Sequence, residues 1–315
     1  MTVYIVRRLI QFVPTLILVS VVIFAMVRAI PGSPANVLLG PEATKEQADA
    51  LSKEMGLDKP IWVQYGIWVE NIARGDFGRS WINDYPVSTL IKAKLWATTQ
   101  LAIVALIFAL LLAFPIGLLN AVYPNGIIGR ITSAYMVLAI GIPSFWLGIL
   151  LVLAFALKLK WLPPSGYVSI FDDPIGWLRV IILPAVTLAL YVSAVLARFI
   201  RAAVQEVFGQ DYVRTANAKG LAPRPVLIGH VLRNAMIPIV TMIGIQAGGL
   251  LGGAVITEMI FAWPGIGRLL VSSIETRDYA IVQTIILLGA MTFLVANLIT
   301  DLIYGLLDPR IRTGS

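Results

Sequence analysis

The sequence predicts an all-α polytopic membrane protein with six transmembrane helices and a small helical extracytoplasmic region after the first span. Three observations carry that prediction. The 315 residues are 58% hydrophobic and 13% charged, and the mean hydropathy is +0.86, more apolar surface than a soluble chain can bury. The apolar residues gather into runs of roughly 20, the length a helix needs to cross hydrocarbon. Between the runs, helix start and stop signals are dense enough to argue against disorder. The net charge of +7 is spread over the segments between runs and forms no patch interleaved with aromatics, so no nucleic-acid partner is expected. No cysteine is present, which excludes disulfides, thiol chemistry and thiolate metal sites, and one histidine makes no metal cluster.

In order, residues 1–30 hold a basic tail and the first span, with Arg7 and Arg8 ahead of an apolar run over Leu9–Val27. That run exceeds a signal peptide's apolar core, which is about 7–15 residues, and no small-x-small site follows it, so the span reads as uncleaved. Pro14 kinks it mildly, and Arg28 snorkels at its far end. Residues 31–95 form the outer region. Thr44 to Gln47 is a capping box for a helix that Gly56 closes. A second helix follows Asp58-Lys59-Pro60, with Ile61, Tyr65, Trp68 and Ile72 in one apolar stripe. The stripe is read as packing on the membrane domain's outer surface, and direct substrate contact is the alternative. Gly75 to Ser80 is a turn, and 86–94 leads into the membrane.

Residues 96–307 form the core, with five more spans. The second covers Trp96–Val122, loosened by Pro115 and Gly117, and a tight inner loop follows to Arg130. The third covers Ile131–Leu157 and is broken at Gly141-Ile142-Pro143. A mid-span proline frees a carbonyl that must find another partner, so such a break lines a cavity or interface, or serves packing alone. Asp172 and Asp173 form a pair that suits a cation or, beside Pro174, turn chemistry; the latter is preferred. The fourth span is Arg179–Ile200. The fifth, Ile239–Ile260, carries Gly244, Gly248, Gly249, Gly252 and Gly253, a pattern for close helix contact or a moving interface. The sixth is Ala280–Leu307, and 308–315 is a tail.

Inner segments hold Arg7, Arg8, Arg130, Arg201, Arg214, Lys219, Arg224, Arg233, Arg310 and Arg312, whereas short outer loops hold Lys158, Lys160, Arg268 and Arg277. That asymmetry places both termini in the cytoplasm. Asp301, in the inner half of the last span, is a functional candidate by default. It is read as a hydrogen-bonded anchor, to Asn297 or to backbone.

The longest inner segment, 211–238, is polar and basic, and it should fold. Its first helix ends at Gly220, which fits a C′ position, and Pro223 cannot extend it. A second helix from about Arg224 to Pro238 aligns Leu227, Val231 and Ala235 on one face, flanked by Arg224 and Arg233. Such a helix suits a groove in a soluble partner or a bed on anionic headgroups.

This segment resembles the cytoplasmic coupling loop of bacterial ABC-importer permeases, whose pattern is Glu-Ala-Ala, three residues, Gly, then a later Ile-x-Leu-Pro. Here Arg214-Thr215-Ala216 precedes Gly220, and Ile237-Pro238 follows. Arg in place of Glu and the longer spacing are similar to the dipeptide/oligopeptide/nickel branch. PGSPA at 31–35, MGLDKP at 55–60 and GDFGRSW at 75–81 also resemble that branch. Glu258 to Arg268 looks like its E-x-x-F-x-W-P-G-x-G-R loop near the external mouth. The resemblance implies the type I ABC-importer permease fold. It assigns ATPase coupling to Arg214, Thr215, Ala216, Gly220, Leu227, Val231, Arg233 and Pro238. It assigns an external mouth or gate to Glu258, Trp263, Pro264, Gly265, Gly267 and Arg268. The partners implied are a second homologous permease, two cytoplasmic ATPase subunits that bind ATP and Mg, an extracytoplasmic substrate-binding protein and the bilayer of a bacterial or archaeal cell. Substrate delivery points to dipeptides or oligopeptides; nickel, glutathione and oligosaccharide importers share these motifs.

No catalytic pattern occurs: there is no P-loop, H-E-x-x-H or G-x-S-x-G, and His230 has no triad partner. The chain is therefore not expected to be an enzyme or to hold a cofactor or metal. An ion-driven transporter would need mid-span charges and inverted repeats. A membrane-embedded enzyme would need clustered polar ligands at one depth.

Overall fold

The computed structural model describes residues 2–29, 35, 39–40 and 43–307, and side chains from residue 12 onward within them, except those of 251–253, 297 and 300–307. The PGSPA motif apart from Ala35, the side chains of Arg7, Arg8, Asn297 and Asp301, and the 308–315 tail lie outside the described residues. Among the described residues the chain is helical, and its one β-type contact is a bridge between Arg79 and Pro86.

The outer region follows α1 (Thr2–Arg28) and opens with α2 (Lys45–Glu54). Thr44 and Gln47 form both halves of the expected capping box. Gly56 takes φ +67°, a left-handed conformation that glycine adopts at little cost. In α3 (Ile61–Ala73), Tyr65 and Trp68 meet Phe24 of α1 at ring-centroid distances of 5.4 and 5.7 Å. Ile72 is half-buried, whereas Ile61 is exposed. The stripe thus meets α1 through Tyr65 and Trp68. In the following turn, Arg79 bonds Asp84 and holds its carboxyl below the ordinary carboxylate range. Ser80 donates to the buried Asp278 carboxylate, and Trp81 packs on Tyr279 at 5.4 Å, tying this region to the last helix.

The core is organised on α4 (Val87–Val122) and α7 (Pro174–Phe208). Along α4, Ala97, Leu101, Ala105, Ala109, Ala113, Gly117 and Ala121 recur at every fourth position, and all are buried. One side of α4 is therefore nearly smooth, and small residues at that spacing let helix backbones approach where lipid offers no preference for apolar burial. Against it α7 sets Ile181, Ala185, Ala189, Leu196, Ala197 and Ile200. Both helices are longer than expected. At 1.5 Å per residue each runs about 50 Å, well beyond a hydrocarbon core of about 30 Å. α7 starts at Pro174 instead of Arg179, because Asp173 accepts from the Gly176 N–H at 2.9 Å and Pro174 is preorganised for a first turn. Of the aspartate pair, Asp173 therefore serves helix initiation.

A tight turn joins α4 to α5 (Ile127–Gly141). Inside it the buried Asn120 amide reaches the Gly129 carbonyl at 3.0 Å and the hydroxyls of Thr132 and Ser133 at 2.6 and 2.9 Å. Gly129 has no room for a side chain: a Cβ would lie 2.3 Å from the Pro124 carbonyl oxygen. Replacing Asn120 with Leu should destabilise the purified protein by about 1–3 kcal/mol, the cost of leaving buried partners unpaired. The drop would be read as a lower thermal midpoint in detergent.

The third apolar run is broken. α5 and α6 (Ser144–Leu151), which continues as a π-helical turn over Val152–Lys158, meet at 102°. Proline disfavours helical geometry in the residue before it, and Ile142 is extended, with φ −80° and ψ 122°. The expected break is therefore a sharp change of direction.

After α8 (Asp211–Ala218), a helical turn at Pro223–Pro225 and a π-helical segment at Val226–Leu232 lead without interruption into α9 (Arg233–Gly253). The second helix of segment 211–238 does not end at Pro238. Its buried series of Val231, Ala235 and Ile239 runs past that proline, and packing holds the helix together there. Gly252 and Gly253 end the helix short of Ile260, since paired glycines weaken helices. α10 (Val255–Ile260), α11 (Ile266–Glu275) and α12 (Tyr279–Leu307) complete the chain.

Among the described residues four helices are long and apolar enough to cross a membrane: Val87–Val122, Pro174–Phe208, Pro223–Leu250 and Tyr279–Ala296. The bent pair makes a fifth, and Phe12–Arg28 is a shorter apolar helix.

Candidate functional site

Three places in the fold bear on function. The first is segment 211–238. Gly220 takes φ +78° and closes α8 as expected. Val213 and Ala216 are buried, whereas Arg214 and Thr215 face out. The Thr215 hydroxyl turns back to the Asp211 carbonyl at 2.9 Å. In the second helix the inward series is Val226, Val231, Ala235 and Ile239, all buried in the protein's own core. The step from 226 to 231 is five because the π turn hydrogen-bonds i to i+5. Leu227, expected on that face, is half-buried beside it; Arg233 is exposed and Pro238 half-buried. What the segment presents outward is Tyr212, Leu221 and Ile228, and Ile228 is 65% exposed. Simple four-residue spacing missed Ile228, since a π turn has no signature in apolar periodicity. Beside the segment, a groove of ≈ 520 Å³ is lined by Tyr123, Pro124, Gln205, Phe208, Asn217 and Leu227.

The second place is the loop between α10 and α11. The Glu258 side chain is fully buried. Its carboxylate accepts the Thr98 hydroxyl at 2.6 Å, the Arg268 N–H at 3.0 Å and the Gly267 N–H. The last two are N–H groups of the first turn of α11, so Glu258 satisfies from a distance donors that a helix start leaves unpaired. Thr98 accepts the Ile266 N–H at 2.9 Å. Trp263, also fully buried, donates its indole N–H to the Ala97 carbonyl at 2.9 Å and meets the Tyr167 ring edge-on at 5.0 Å. A Cβ on Gly265 would lie 1.9 Å from Glu258 Oε1, and one on Gly267 2.7 Å from Val255 Cα. The Arg268 guanidinium bonds the Ala262 carbonyl at 3.0 Å. Glu258, Trp263, Gly265, Gly267 and Arg268 are thus brought together, with Pro264 between them, as a closed polar knot on α4. Thr98 and Tyr167, which complete it, carry no motif in the sequence.

The third place is a cavity of ≈ 380 Å³ at the α5–α6 break, lined by Ile142, Pro143, Ser144, Thr187, Tyr191 and Gln246 among others. Gly249 opens onto the same space, whereas Gly248 faces α12, where a Cβ would meet Phe293 at 3.2 Å. The glycines of α9 therefore serve two directions. Among the described residues no group of three His, Cys, Asp or Glu side chains is placed to hold a metal ion.

Comparison with known proteins agrees with this architecture. Residues 113–313 match the family described as "Binding-protein-dependent transport system inner membrane component", and residues 1–102 match the N-terminal component of such membrane proteins. The chain is 41% identical over 309 residues to the "Glutathione transport system permease protein GsiC" of Escherichia coli strain K12, covering 98% of each chain. It is 40% identical over the same length and coverage to the protein of that name from Shigella flexneri serotype 5b. A solved structure of the MetNI methionine ABC transporter superimposes with a TM-score of 0.57 at 18% identity, covering 70% of this chain and 97% of that one. An amino acid ABC transporter gives 0.51 at 19% identity, covering 71% and 94%. These two show the fold. In this family, permeases carry no catalytic centre, and ATP is hydrolysed by partner subunits. With matches along nearly its whole length, the chain belongs to the inner membrane components of binding-protein-dependent ABC importers, in the dipeptide/oligopeptide-type branch.

Proposed function

We propose that the chain forms half of a translocation pathway for a peptide-type substrate, delivered by an extracytoplasmic binding protein. The other half comes from a second, homologous permease. Two cytoplasmic ATPase subunits, which hold ATP and Mg, dock on segment 211–238. The chain crosses the membrane six times, with both termini in the cytoplasm. The observation that carries this reading is the unbroken helical run from Pro223 through the π segment into α9. One side of that run is anchored in the core at Val226, Val231, Ala235 and Ile239, and its other side offers Ile228 to the cytoplasm. A displacement at Ile228 therefore reaches the cavity-lining residues Gln246 and Gly249 along one helix. Tyr212, Leu221, Ile228, Arg214 and Arg233 make the outward contact. Ala216, Leu227 and Val231 transmit it by packing, Gly220 sets the angle between the two helices, and Pro238 marks the entry into α9. The knot at Glu258 to Arg268 frames the external mouth as a rigid edge. The name of the relatives favours glutathione, itself a tripeptide, as a second reading within the same substrate class.

The test is ATP hydrolysis by the assembled importer in lipid nanodiscs, with binding protein loaded in turn with dipeptides, longer peptides or glutathione. Ile228→Asp should lower binding-protein-stimulated hydrolysis about tenfold or more, since a carboxylate enters an apolar contact, roughly 1.4 kcal/mol per factor of ten. Full stimulation in that variant would overturn the coupling assignment. Transport abolished by a protonophore while ATP is maintained would point to an ion gradient instead.

A further inference from the structure

α3 is apolar on two sides, and among the described residues only one of them has a partner. At 100° per residue, Tyr65, Trp68 and Ile72 share the side that meets α1. Glu70 and Arg74, paired with each other and both exposed, mark a different direction. Gln64, Ile67 and Asn71 line a pocket of ≈ 330 Å³ together with Arg28 and Trp81. What remains is an edge formed by Trp62, Gly66, Val69 and Ala73, all exposed, with no charge in it; Trp62 is 72% exposed.

The depth of this helix follows from one hydrogen bond. Arg28 ends α1, and its charge belongs at the membrane boundary. Ser20 lies eight residues earlier, about 12 Å deeper along the helix. The hydroxyls of Tyr65 and Ser20 are 2.8 Å apart. A tyrosine hydroxyl stands on the order of 6–7 Å from its own Cα, so even with the ring and the hydrogen bond both directed along α1 the α3 backbone at Tyr65 passes about 2 Å or more below the level of Arg28. A helix bedded at an interface lies about 5–10 Å into the boundary between headgroups and acyl chains. α1 likewise exposes apolar side chains, at Leu18, Val21, Val22 and Met26.

We propose that α3 is a membrane-interfacial helix, embedded in the outer leaflet by the Trp62–Val69 edge, with the Glu70–Arg74 pair turned to water. The occupant of that edge is phospholipid. The extracytoplasmic region is then held from two sides, by the bilayer through α3 and by α12 through Ser80 and Trp81. Tryptophan suits this position because its body is apolar and its N–H seeks the headgroup level.

The native absence of cysteine makes the test direct. Single variants Trp62→Cys, Val69→Cys, Glu70→Cys and Arg74→Cys would carry a nitroxide in the complete importer, with cysteines in the partner subunits replaced. The carrier is a nanodisc of phosphatidylethanolamine and phosphatidylglycerol. The ratio of accessibility to oxygen over a water-soluble nickel chelate should be about threefold or more higher at 62 and 69 than at 70 and 74, as expected of an embedded edge. Equal, water-like ratios at all four positions overturn the proposal. So does inaccessibility of 62 and 69 to both reagents, which places the second permease there. So does loss of oxygen access only on adding the binding protein, which makes the edge a docking surface. Should labelling disturb α3, the wild type and Trp62→Phe can be compared by quenching with brominated lipids. The difference between them isolates Trp62, which should be strongly quenched in the first case, and an unquenched difference signal overturns the assignment.

Discussion

Glu258→Leu is expected to prevent recovery of a folded permease, with a loss of about 4–5 kcal/mol or more. That magnitude is rare for one substitution and arises where a buried network is cut. The leucine would strand the Thr98 hydroxyl and the N–H groups of Gly267 and Arg268, each costing about 1–3 kcal/mol when buried without a partner. Glu258→Gln should lose less, because one carbonyl oxygen remains to accept. Gly265→Ala probes the same knot from the other side, since its methyl would occupy the position of Glu258 Oε1. The two sites are coupled. In Glu258→Ala/Gly265→Ala the carboxylate is gone and the collision with it, so the double variant should be little worse than Glu258→Ala alone. Thermal midpoints and monodisperse yield in detergent read all five. Additive losses would mean that Gly265 is needed for another reason.

Gly117→Leu should be nearly as damaging. Even the first carbon of a side chain there would lie 2.8 Å from the Ala197 carbonyl oxygen and 2.8 Å from Ile200 Cβ. A backbone oxygen on a packed helix cannot step aside, so α4 and α7 must separate and lose contact along the alanine series. Gly117→Ala alone should cost about 1–3 kcal/mol, as overpacking does. Gly66→Ala is the matched control: nothing lies within 4 Å of its added carbon, so the helix-propensity gain of roughly 1 kcal/mol should appear unopposed. A Gly117→Ala protein as stable as the wild type would mean that the two helices do not meet as closely as the structure has them.

Much of this architecture was legible because it rests on local rules. The capping box at Thr44, the left-handed glycines at 56 and 220, and the break before Pro143 follow from short-range sterics and hydrogen bonding. The aromatic stripe of α3 follows from period alone. The alanine series of α4 was not legible for the opposite reason. In a run that is apolar throughout, alanine does not stand out, and only its partner helix shows which alanines matter. The glycines of the fifth apolar run did stand out, yet α4 and α7 meet most tightly at a glycine of the second run, Gly117, where a Cβ would lie 2.8 Å from the Ala197 carbonyl oxygen. Segment 211–238 was recognisable from Arg214-Thr215-Ala216 and Gly220, but its outward face was not. The π turn shifts the series by one residue, replacing Leu227 with Val226 on the buried side. The role of Glu258 was hidden by distance: its motif names one partner segment, and the other, Thr98, lies in a different helix.

That distance has a consequence for biogenesis. Thr98 and Glu258 are separated by 160 residues, and Ser80 and Asp278 by 198. At about 5–20 residues per second, ribosomal synthesis leaves the earlier member waiting on the order of ten to forty seconds for its partner. Throughout that interval Thr98 sits in a helix already delivered to the membrane, and the first turn of α11 does not yet exist. These two contacts therefore close late in synthesis, long after their earlier members have been made. A protease that samples nascent chains has a long opportunity there, before the carboxylate of Glu258 arrives.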